Sequence, residues 1–167
     1  VALVLAGFLV AYLQGRKTPV GDPQYVALGS SFAAGAGLGT LQKDSALLCA
    51  RSVGGYPNHL AGMLHLKLVD MACGGAVTSH LLQGGQYFQG PQIRVVDQRT
   101  RLVTITVGGN DTLYIGDLSQ LAARHDRTLW GWLVRTFWSG PKVTQQRGFS
   151  QFKRELLATI YAIQRRS

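Results

Sequence analysis

Three short strand-like runs rich in apolar residues, each followed at once by small residues, restrict the possible folds more than any other feature of this 167-residue sequence. The runs are 25–28, 66–71 and 102–107, and the small-residue segments that follow them are 29–31, 72–75 and 108–111. A short apolar run such as 25–28 is typical of a strand buried on both faces, and a glycine-rich segment ends it with a turn. The pattern therefore predicts three buried strands.

Segments with a helical spacing of apolar residues separate or flank these runs, at 56–64, 78–82 and 92–98. Strands that alternate with helices form parallel sheets with helices on both faces. We therefore predict an α/β fold, a three-layer αβα sandwich around a flavodoxin-like parallel sheet. The hydrophobic content of 46% is sufficient for one core.

The small-residue segments also predict where a ligand binds, because ligands of open parallel sheets bind just beyond the carboxyl ends of the strands. At that edge the three segments would supply the Ser31 hydroxyl, backbone N–H groups that no side chain crowds, and the Asn110 carboxamide. Acyl transfer requires this set, a nucleophile together with donors aimed at the oxyanion of the tetrahedral intermediate.

At these positions the sequence resembles the SGNH, or GDSL-type, esterase and lipase family. The similarity consists of three blocks in the family's order, each behind a predicted strand: 25–35 (YVALGSSFAAG), 72–76 (ACGGA) and 106–111 (TVGGND). It covers about residues 24–117. The resemblance implies that Ser31 is the nucleophile, that Gly75 is the oxyanion-hole glycine and that Asn110 is the oxyanion-hole asparagine.

The sequence departs from the family pattern in two places. Ser30 stands where the family usually has an Asp before the nucleophile, and its hydroxyl can still hold the turn by hydrogen bonding. The family's D-x-x-H pair, whose His activates the serine, has no counterpart here, and nothing after 102–107 has the pattern of a buried strand. The resemblance therefore implies the amino-terminal part of a hydrolase, truncated before its base.

The sequence context predicts a separate role for each of the four histidines and for Asp111. His80 follows the second block and is the candidate for a substitute base, whereas His59 and His65 belong to an apolar helical segment and are expected to be structural. His125 lies in a polar, basic stretch and is expected to be solvated. Asp111 is expected to hold its loop through a local turn hydrogen bond.

The first thirteen residues (VALVLAGFLVAYL) carry no charge. This length is short for a membrane span and suits the core of a signal peptide, and an ordinary buried strand or helix is the alternative. The polar, turn-rich stretch 18–24 (TPVGDPQ) follows as a linker. We therefore predict a hydrophobic export or anchor segment with its linker at 1–23, and an incomplete SGNH hydrolase-like domain at 24–167.

The net charge of +9 is concentrated in one part of the chain, since residues 120–167 hold nine basic and two acidic side chains. No zinc-finger, basic-zipper or RNA-binding motif accompanies this charge, so we expect no nucleic-acid partner and a solvated or phospholipid-facing surface instead. The segment 35–40 (GAGLGT) lacks the third glycine of a dinucleotide loop. No Cys or His pair has metal-ligand spacing, so neither cofactor nor metal is predicted.

An aromatic stripe is expected on a helix at 129–138 (LWGWLVRTFW). At helical spacing, one stripe contains Trp130, Val134, Phe137 and Trp138. Packing in the core is the default interpretation of such a stripe. A lid or an acyl-chain surface is the alternative, because a lipid-active esterase uses aromatic side chains at an interface.

Cys49 and Cys73 are the only cysteines of the sequence. The apparent export signal implies an oxidising compartment, and the family resemblance places Cys73 beside the oxyanion glycine. We therefore expect a Cys49–Cys73 disulfide, with two buried free thiols as the alternative.

The resulting functional hypothesis is an exported serine esterase or lipase that acts on carboxylic esters or lipids and associates with a membrane surface. Because the D-x-x-H pair is missing, we expect this chain alone to be nearly inactive. The main alternative is a catalytically silent remnant that binds acylated ligands, and a weaker one is a basic, membrane-associated structural protein.

Overall fold

The computed structural model describes residues 2–15, 17–137 and 149–167, and within these residues the chain forms three β-strands and seven α-helices. The strands are β1 (Tyr25–Gly29), β2 (Leu68–Asp70) and β3 (Leu102–Thr106). The helices are α1 (Ala2–Gly15), α2 (Ser31–Ala34), α3 (Tyr56–Leu64), α4 (Thr78–Leu82), α5 (Tyr114–Ala123), α6 (Leu129–Phe137) and α7 (Phe149–Gln164). Three 3₁₀ turns cover Leu47–Cys49, Gln86–Phe88 and Gln92–Val95.

The three strands form one parallel sheet in the order β2-β1-β3. Tyr25 of β1 pairs with Leu68 of β2 on one side and with Leu102 of β3 on the other. Because β1 is the central strand, its two neighbours both end beside its carboxyl end. The three small-residue segments that follow the strands therefore start from one edge of the sheet.

Apolar side chains pack on both faces of the sheet. Val26 and Leu28 of β1 face a core cluster that includes residues of α4, the Gln92–Val95 turn and α7. Tyr25 and Ala27, which alternate with them, pack against Ala61 of α3 on the opposite face. Helices therefore cover the sheet from both sides, and the predicted three-layer α/β fold is confirmed.

Most element bounds agree with the sequence prediction, and the two differences have local causes. The second strand was expected over 66–71, but the Leu66 N–H donates to the Ala61 carbonyl at 3.0 Å, so this residue belongs to the end of α3. The helix expected over 92–98 is a 3₁₀ turn, Gln92–Val95. It is followed by a turn in which the Thr100 N–H donates to the Asp97 carbonyl at 2.9 Å.

The apolar first segment forms the 14-residue helix α1. Its apolar side chains are largely exposed, with Leu3 at 88%. Phe8 and Tyr12 contact the ring of Phe88 at centroid distances of 6.0 and 5.2 Å. Among the described residues, no helix combines the length and the hydropathy required to cross a bilayer.

The aromatic stripe lies on α6, as the spacing predicts, but it is not packed in the core. Trp130 is 66% exposed and Phe137 is 69% exposed, so the default interpretation is wrong for these two residues. Gly131 is the buried residue of the helix, because its backbone packs against Asp126. Trp138 lies outside the described residues.

Candidate active site

The end of β1 is hydrogen-bonded to the segment after β2 and to the last residue of β3. After β2, the Cys73 N–H donates to the Gly29 carbonyl at 3.0 Å. At the end of β3 the contact runs in the other direction, since the Ser30 N–H, just after β1, donates to the Thr106 carbonyl at 2.9 Å. The three small-residue segments therefore meet at the carboxyl edge of the sheet, as the sequence analysis expected.

Ser31 is the first residue of α2 and is half-buried. It follows the tight passage of Gly29, whose φ of +145° favours glycine and where a Cβ would lie 2.2 Å from the Thr106 carbonyl oxygen. The helix then ends at Gly35, in the left-handed conformation. Ser30, the residue that replaces the family's Asp, is buried, and its Oγ lies 3.5 Å from the Thr106 carbonyl.

Gln92 fixes the backbone just before Ser31, a role that the sequence analysis missed. The Gly29 N–H donates to its Oε1 at 2.8 Å, and its Nε2 donates to the Gly29 carbonyl at 3.0 Å. The Gln92 side chain is 3% exposed, so the two bonds lie in a water-poor site. A glutamine on a short turn carries no sequence signal for this contact, which spans 63 residues.

Gly75 stands at the tip of the segment after β2, with a φ of +78°. A Cβ at this position would lie 3.3 Å from Nε2 of Gln86 and 3.4 Å from the hydroxyl of Tyr87. The Gln86 Nε2 donates to the Gly74 carbonyl, which ties this turn to the 3₁₀ turn beside it. Gly75 is itself exposed, so its backbone is accessible to a ligand.

The predicted disulfide is present and supports the same segment. Cys49 and Cys73 are joined, both are buried, and 24 residues of sequence separate them. Beside the disulfide, the Gly74 N–H donates to the Cys49 carbonyl at 2.9 Å. The turn that carries Gly75 is therefore fixed to a neighbouring loop by a covalent bond and a backbone hydrogen bond.

Asn110 reaches from the loop after β3 to the segment that carries Gly75. Its Nδ2 donates to the Ala76 carbonyl at 2.8 Å. A carboxamide nitrogen carries two hydrogens, so one N–H holds this contact and the second can serve a ligand. At the base of the loop, the Thr112 N–H and hydroxyl both donate to the Gly108 carbonyl at 3.0 Å.

An apolar cavity of about 680 Å³ opens beside Gly75 and Asn110. Helices α5 and α6 form most of its wall, and the residues that line it besides these two are Val77, Leu113, Ile115, Gly116, Ser119, Trp130, Leu133, Val134 and Phe137. Ser31 is not among the described residues that line this cavity. The structure thus brings Gly75 and Asn110 together in one cavity, while Ser31 is linked to both through the strand ends.

His80 does not have the hydrogen bonding of a base for Ser31. The Val77 N–H donates to its Nδ1 at 3.1 Å, so the neutral ring carries its proton on Nε2. Burial lowers the pKa of His80, although Asp111 and Glu155 oppose this shift. Within the described ranges, no hydrogen bond joins Ser31 to any of the four histidines.

The Asp111 carboxylate bonds outside its own turn, contrary to the expectation of a local contact. Its Oδ1 accepts the Thr78 N–H at 2.9 Å and also the Thr78 hydroxyl. The Oε2 of Glu155 lies 2.8 Å from the same hydroxyl. Asp111 therefore anchors the loop after β3 to the start of α4.

The other histidines, His59, His65 and His125, are exposed.

Two buried ionisable side chains support the end of β2. Arg51 is 1% exposed, and its guanidinium donates to the Ala72 carbonyl at 3.1 Å and to the Asp44 carbonyl at 3.0 Å. Asp70 accepts the Ala72 N–H at 3.0 Å and the Gln42 Nε2 at 2.9 Å. Burial raises the pKa of Asp70 to about 6. Both side chains hold the backbone that leads to Gly75.

Comparison with known proteins identifies the family. The profile of the GDSL-like lipase/acylhydrolase family matches residues 27–166, which is most of the chain. The chain belongs to this family. Lipase 2 of Streptomyces coelicolor is 42% identical over 97 residues, or 58% of this chain and 32% of the relative. A lipase of Streptomyces rimosus is 38% identical over 116 residues, or 66% of this chain and 40% of the relative.

Two solved structures share the fold. The extracellular lipase of Streptomyces rimosus superimposes with a TM-score of 0.59 at 27% identity, over 86% of this chain and 55% of its own. Phospholipase A1 of Streptomyces albidoflavus NA297 gives a TM-score of 0.59 at 23% identity, over 86% and 54%. The chain therefore spans about a third to a little over half of the length of the proteins it matches.

Proposed function

We propose that this chain carries the nucleophile and the oxyanion hole of a serine hydrolase for carboxylic esters. In this proposal the Ser31 Oγ attacks the ester carbonyl carbon, and the oxyanion that forms accepts hydrogen bonds from the Ser31 N–H, the Gly75 N–H and the Asn110 carboxamide. The leaving alcohol takes a proton, and water then cleaves the acyl-serine ester.

One observation carries the proposal. The Asn110 carboxamide is held against the segment of Gly75 by its bond to the Ala76 carbonyl, and both residues open onto the same apolar cavity. A polar donor pair beside an apolar wall matches an ester, which has a polar reacting group and an apolar chain. The bond of Ser30 to the end of β3 supports the placement of Ser31 at the same edge.

The proton of Ser31 requires a base, and we propose that a histidine outside residues 1–167 supplies it. The hydrogen bond to Nδ1 of His80 argues against a role for this residue as base. Without a base the serine hydroxyl is a weak nucleophile, and loss of a triad member leaves only the residual rate of binding and oxyanion stabilisation. We therefore expect slow ester turnover from this chain alone.

The substrate is proposed from the apolar cavity, and the location is proposed from a relative. The apolar cavity fits the acyl part of an ester or lipid substrate, and the Streptomyces rimosus relative is an extracellular lipase. We propose that this protein is exported too, with 1–23 as the hydrophobic export or anchor segment and linker, and 24–167 as the hydrolase-like domain. The Cys49–Cys73 disulfide supports an oxidising compartment.

Binding of acylated ligands without turnover is a second candidate function. It is favoured by the apolar cavity together with the lack of a histidine hydrogen-bonded to Ser31 in the described part of the chain. This candidate predicts saturable binding of a fatty acid and no ester cleavage by the full-length protein.

Turnover of p-nitrophenyl butyrate by the full-length protein tests the proposal, with adjacent serines as a matched pair. Ser31→Ala is expected to abolish turnover, whereas Ser30→Ala is expected to retain it because the Ser30 hydroxyl makes one long contact at 3.5 Å. Equal activity of Ser31→Ala and the wild type would contradict the proposed nucleophile. Fatty-acid binding without any turnover would instead support the binding function.

A further inference from the structure

The hairpin of α5 and α6 exposes large apolar side chains on the surface beside the cavity. Leu129 is 72% exposed, Trp130 66% and Trp132 50%. Soluble proteins seldom expose several such side chains together unless the surface meets a partner or a lipid. The hairpin surface, defined here as residues 114–137, is therefore a candidate for interaction.

Helix α6 is apolar on two sides, and only one of these sides belongs to the cavity wall. Trp130, Val134 and Phe137 line the cavity at a spacing of three to four residues. Leu129 and Trp132, three residues apart, lie on another side of the helix and are also exposed. Ligand in the cavity would therefore leave part of the apolar surface in contact with its surroundings.

Basic side chains are exposed in the connection of the hairpin and on α7. Arg124 and Arg127 are exposed in the connection between α5 and α6. On α7, Lys153 and Arg154 are exposed directly after Phe152, whose ring would contact a Cβ at Gly108. Lys153 and Arg154 thus lie close to the edge of the sheet at which the candidate site is located.

Asp126 and Arg135 of the hairpin are engaged in local hydrogen bonds. The Asp126 carboxylate accepts the Thr128 N–H at 2.8 Å, and the Arg135 guanidinium donates to the Asp126 and Ala123 carbonyls. These contacts fix the connection between the helices. Arg124 and Arg127 are exposed in the same connection, which leads directly to Trp130 and Trp132 in the sequence.

We propose that the hairpin surface docks on an anionic phospholipid bilayer, with Leu129 and Trp132 in the headgroup region and the basic residues on lipid phosphates. Tryptophan is enriched at membrane–water interfaces, and amphipathic helices with basic flanks bind anionic lipids. A nucleic acid would use the charge but not the aliphatic side chains, and a protein partner would not require the exposed cations. The inference rests on the proposed function, because docking would present lipid esters to the cavity.

Quenching of tryptophan fluorescence by brominated phospholipids in vesicles of phosphatidylglycerol and phosphatidylcholine tests the docking. Tryptophan occurs only at positions 130, 132 and 138, so quenching reports this segment whether or not α1 also binds the vesicles. Strong quenching with anionic vesicles and weak quenching with pure phosphatidylcholine is the expected result. Binding without quenching would overturn the proposal, since the bilayer would then contact another part of the protein.

A charge-matched pair of variants separates specific docking from general attraction. Arg124→Gln with Arg127→Gln is expected to raise the lipid concentration for half-maximal quenching about 10- to 30-fold. Lys67→Gln with Arg101→Gln removes the same charge just before β2 and β3, at the opposite edge of the sheet. This pair is expected to change the lipid concentration for half-maximal quenching less than threefold. Equal effects of the two pairs would overturn the proposal. Because vesicle binding is measured without hydrolysis, failure of docking and failure of the ester hydrolase function are distinguishable.

Discussion

Substitution of Gln92 by Leu tests whether the turn before Ser31 depends on the two hydrogen bonds between the Gln92 side-chain amide and Gly29. This pair of bonds is called the clamp below. Leucine has a similar volume but neither donor nor acceptor. The Gly29 N–H would lose its partner in a buried site, whereas the Gly29 carbonyl keeps the Cys73 N–H. An orphaned buried N–H costs about 1–3 kcal/mol and the lost second bond about 1 kcal/mol. We therefore expect the free energy of unfolding to fall by about 2–4 kcal/mol.

Urea unfolding measures this change, and thermal unfolding should show a Tm lower by roughly 5–15 °C for a chain of this size. Gln98→Leu is the matched control, because Gln98 is exposed six residues away and the same substitution there is expected to change stability by less than about 0.5 kcal/mol. Equal stability of the two variants would refute the clamp.

Gln92→Glu gives a second test of the same clamp. A neutral carboxylic acid can make both bonds to Gly29, whereas a buried carboxylate would face the Gly29 carbonyl without a proton to donate. The pKa of the introduced acid should therefore be raised in the folded state. The sign follows: this variant is most stable at low pH, and its stability falls as the pH rises through the folded-state pKa.

Three further predictions follow from the site. Reduction of the Cys49–Cys73 disulfide, or its replacement by two serines, should lower the free energy of unfolding by about 3–4 kcal/mol in the chain-entropy model, measured by urea unfolding. Because the pKa of Asp70 is raised to about 6 from 3.8, its stabilising contribution is complete below about pH 4 and is lost by about pH 6. The loss is about 3 kcal/mol, and Asp70→Asn should flatten the pH profile of unfolding across this window. Asn110→Ala in the active full-length protein should lower kcat about 100-fold with little change in KM, and an unchanged kcat would leave Asn110 as a loop anchor only.

The strands were predictable because the amino-acid composition of each short segment indicates that it is buried. β1 and β3 are short runs rich in apolar and β-branched residues that end at glycine or at small residues, and the structure places both within one residue of the expected bounds. The disulfide was predictable because two cysteines allow one pairing. Helix α6 was predictable as a helix, but its exposure was not. Periodicity identifies an apolar stripe without showing what covers it, and Trp130 lines an open cavity.

The contacts that hold the site were not predictable, because polar residues on loops bond to partners that are distant in sequence. Gln92 bonds to Gly29 across 63 residues, and Arg51 bonds to Ala72 across 21. Asp111 illustrates the same limit: a local turn contact was expected, and the carboxylate instead accepts two bonds from Thr78, 33 residues away. Such contacts depend on the assembled fold and leave no periodic or compositional signal.

The most direct test of the central claim is the structure of the full-length protein after reaction with an alkyl fluorophosphonate, whose tetrahedral phosphorus stands in for the attacked ester carbon. The account predicts a covalent bond from the Ser31 Oγ to phosphorus. It also predicts the phosphonyl oxygen about 2.7–3.1 Å from the Gly75 nitrogen and the Asn110 Nδ2, and the alkyl chain in the cavity between α5 and α6. An adduct on another residue, or a phosphonyl oxygen turned away from Gly75 and Asn110, would contradict it.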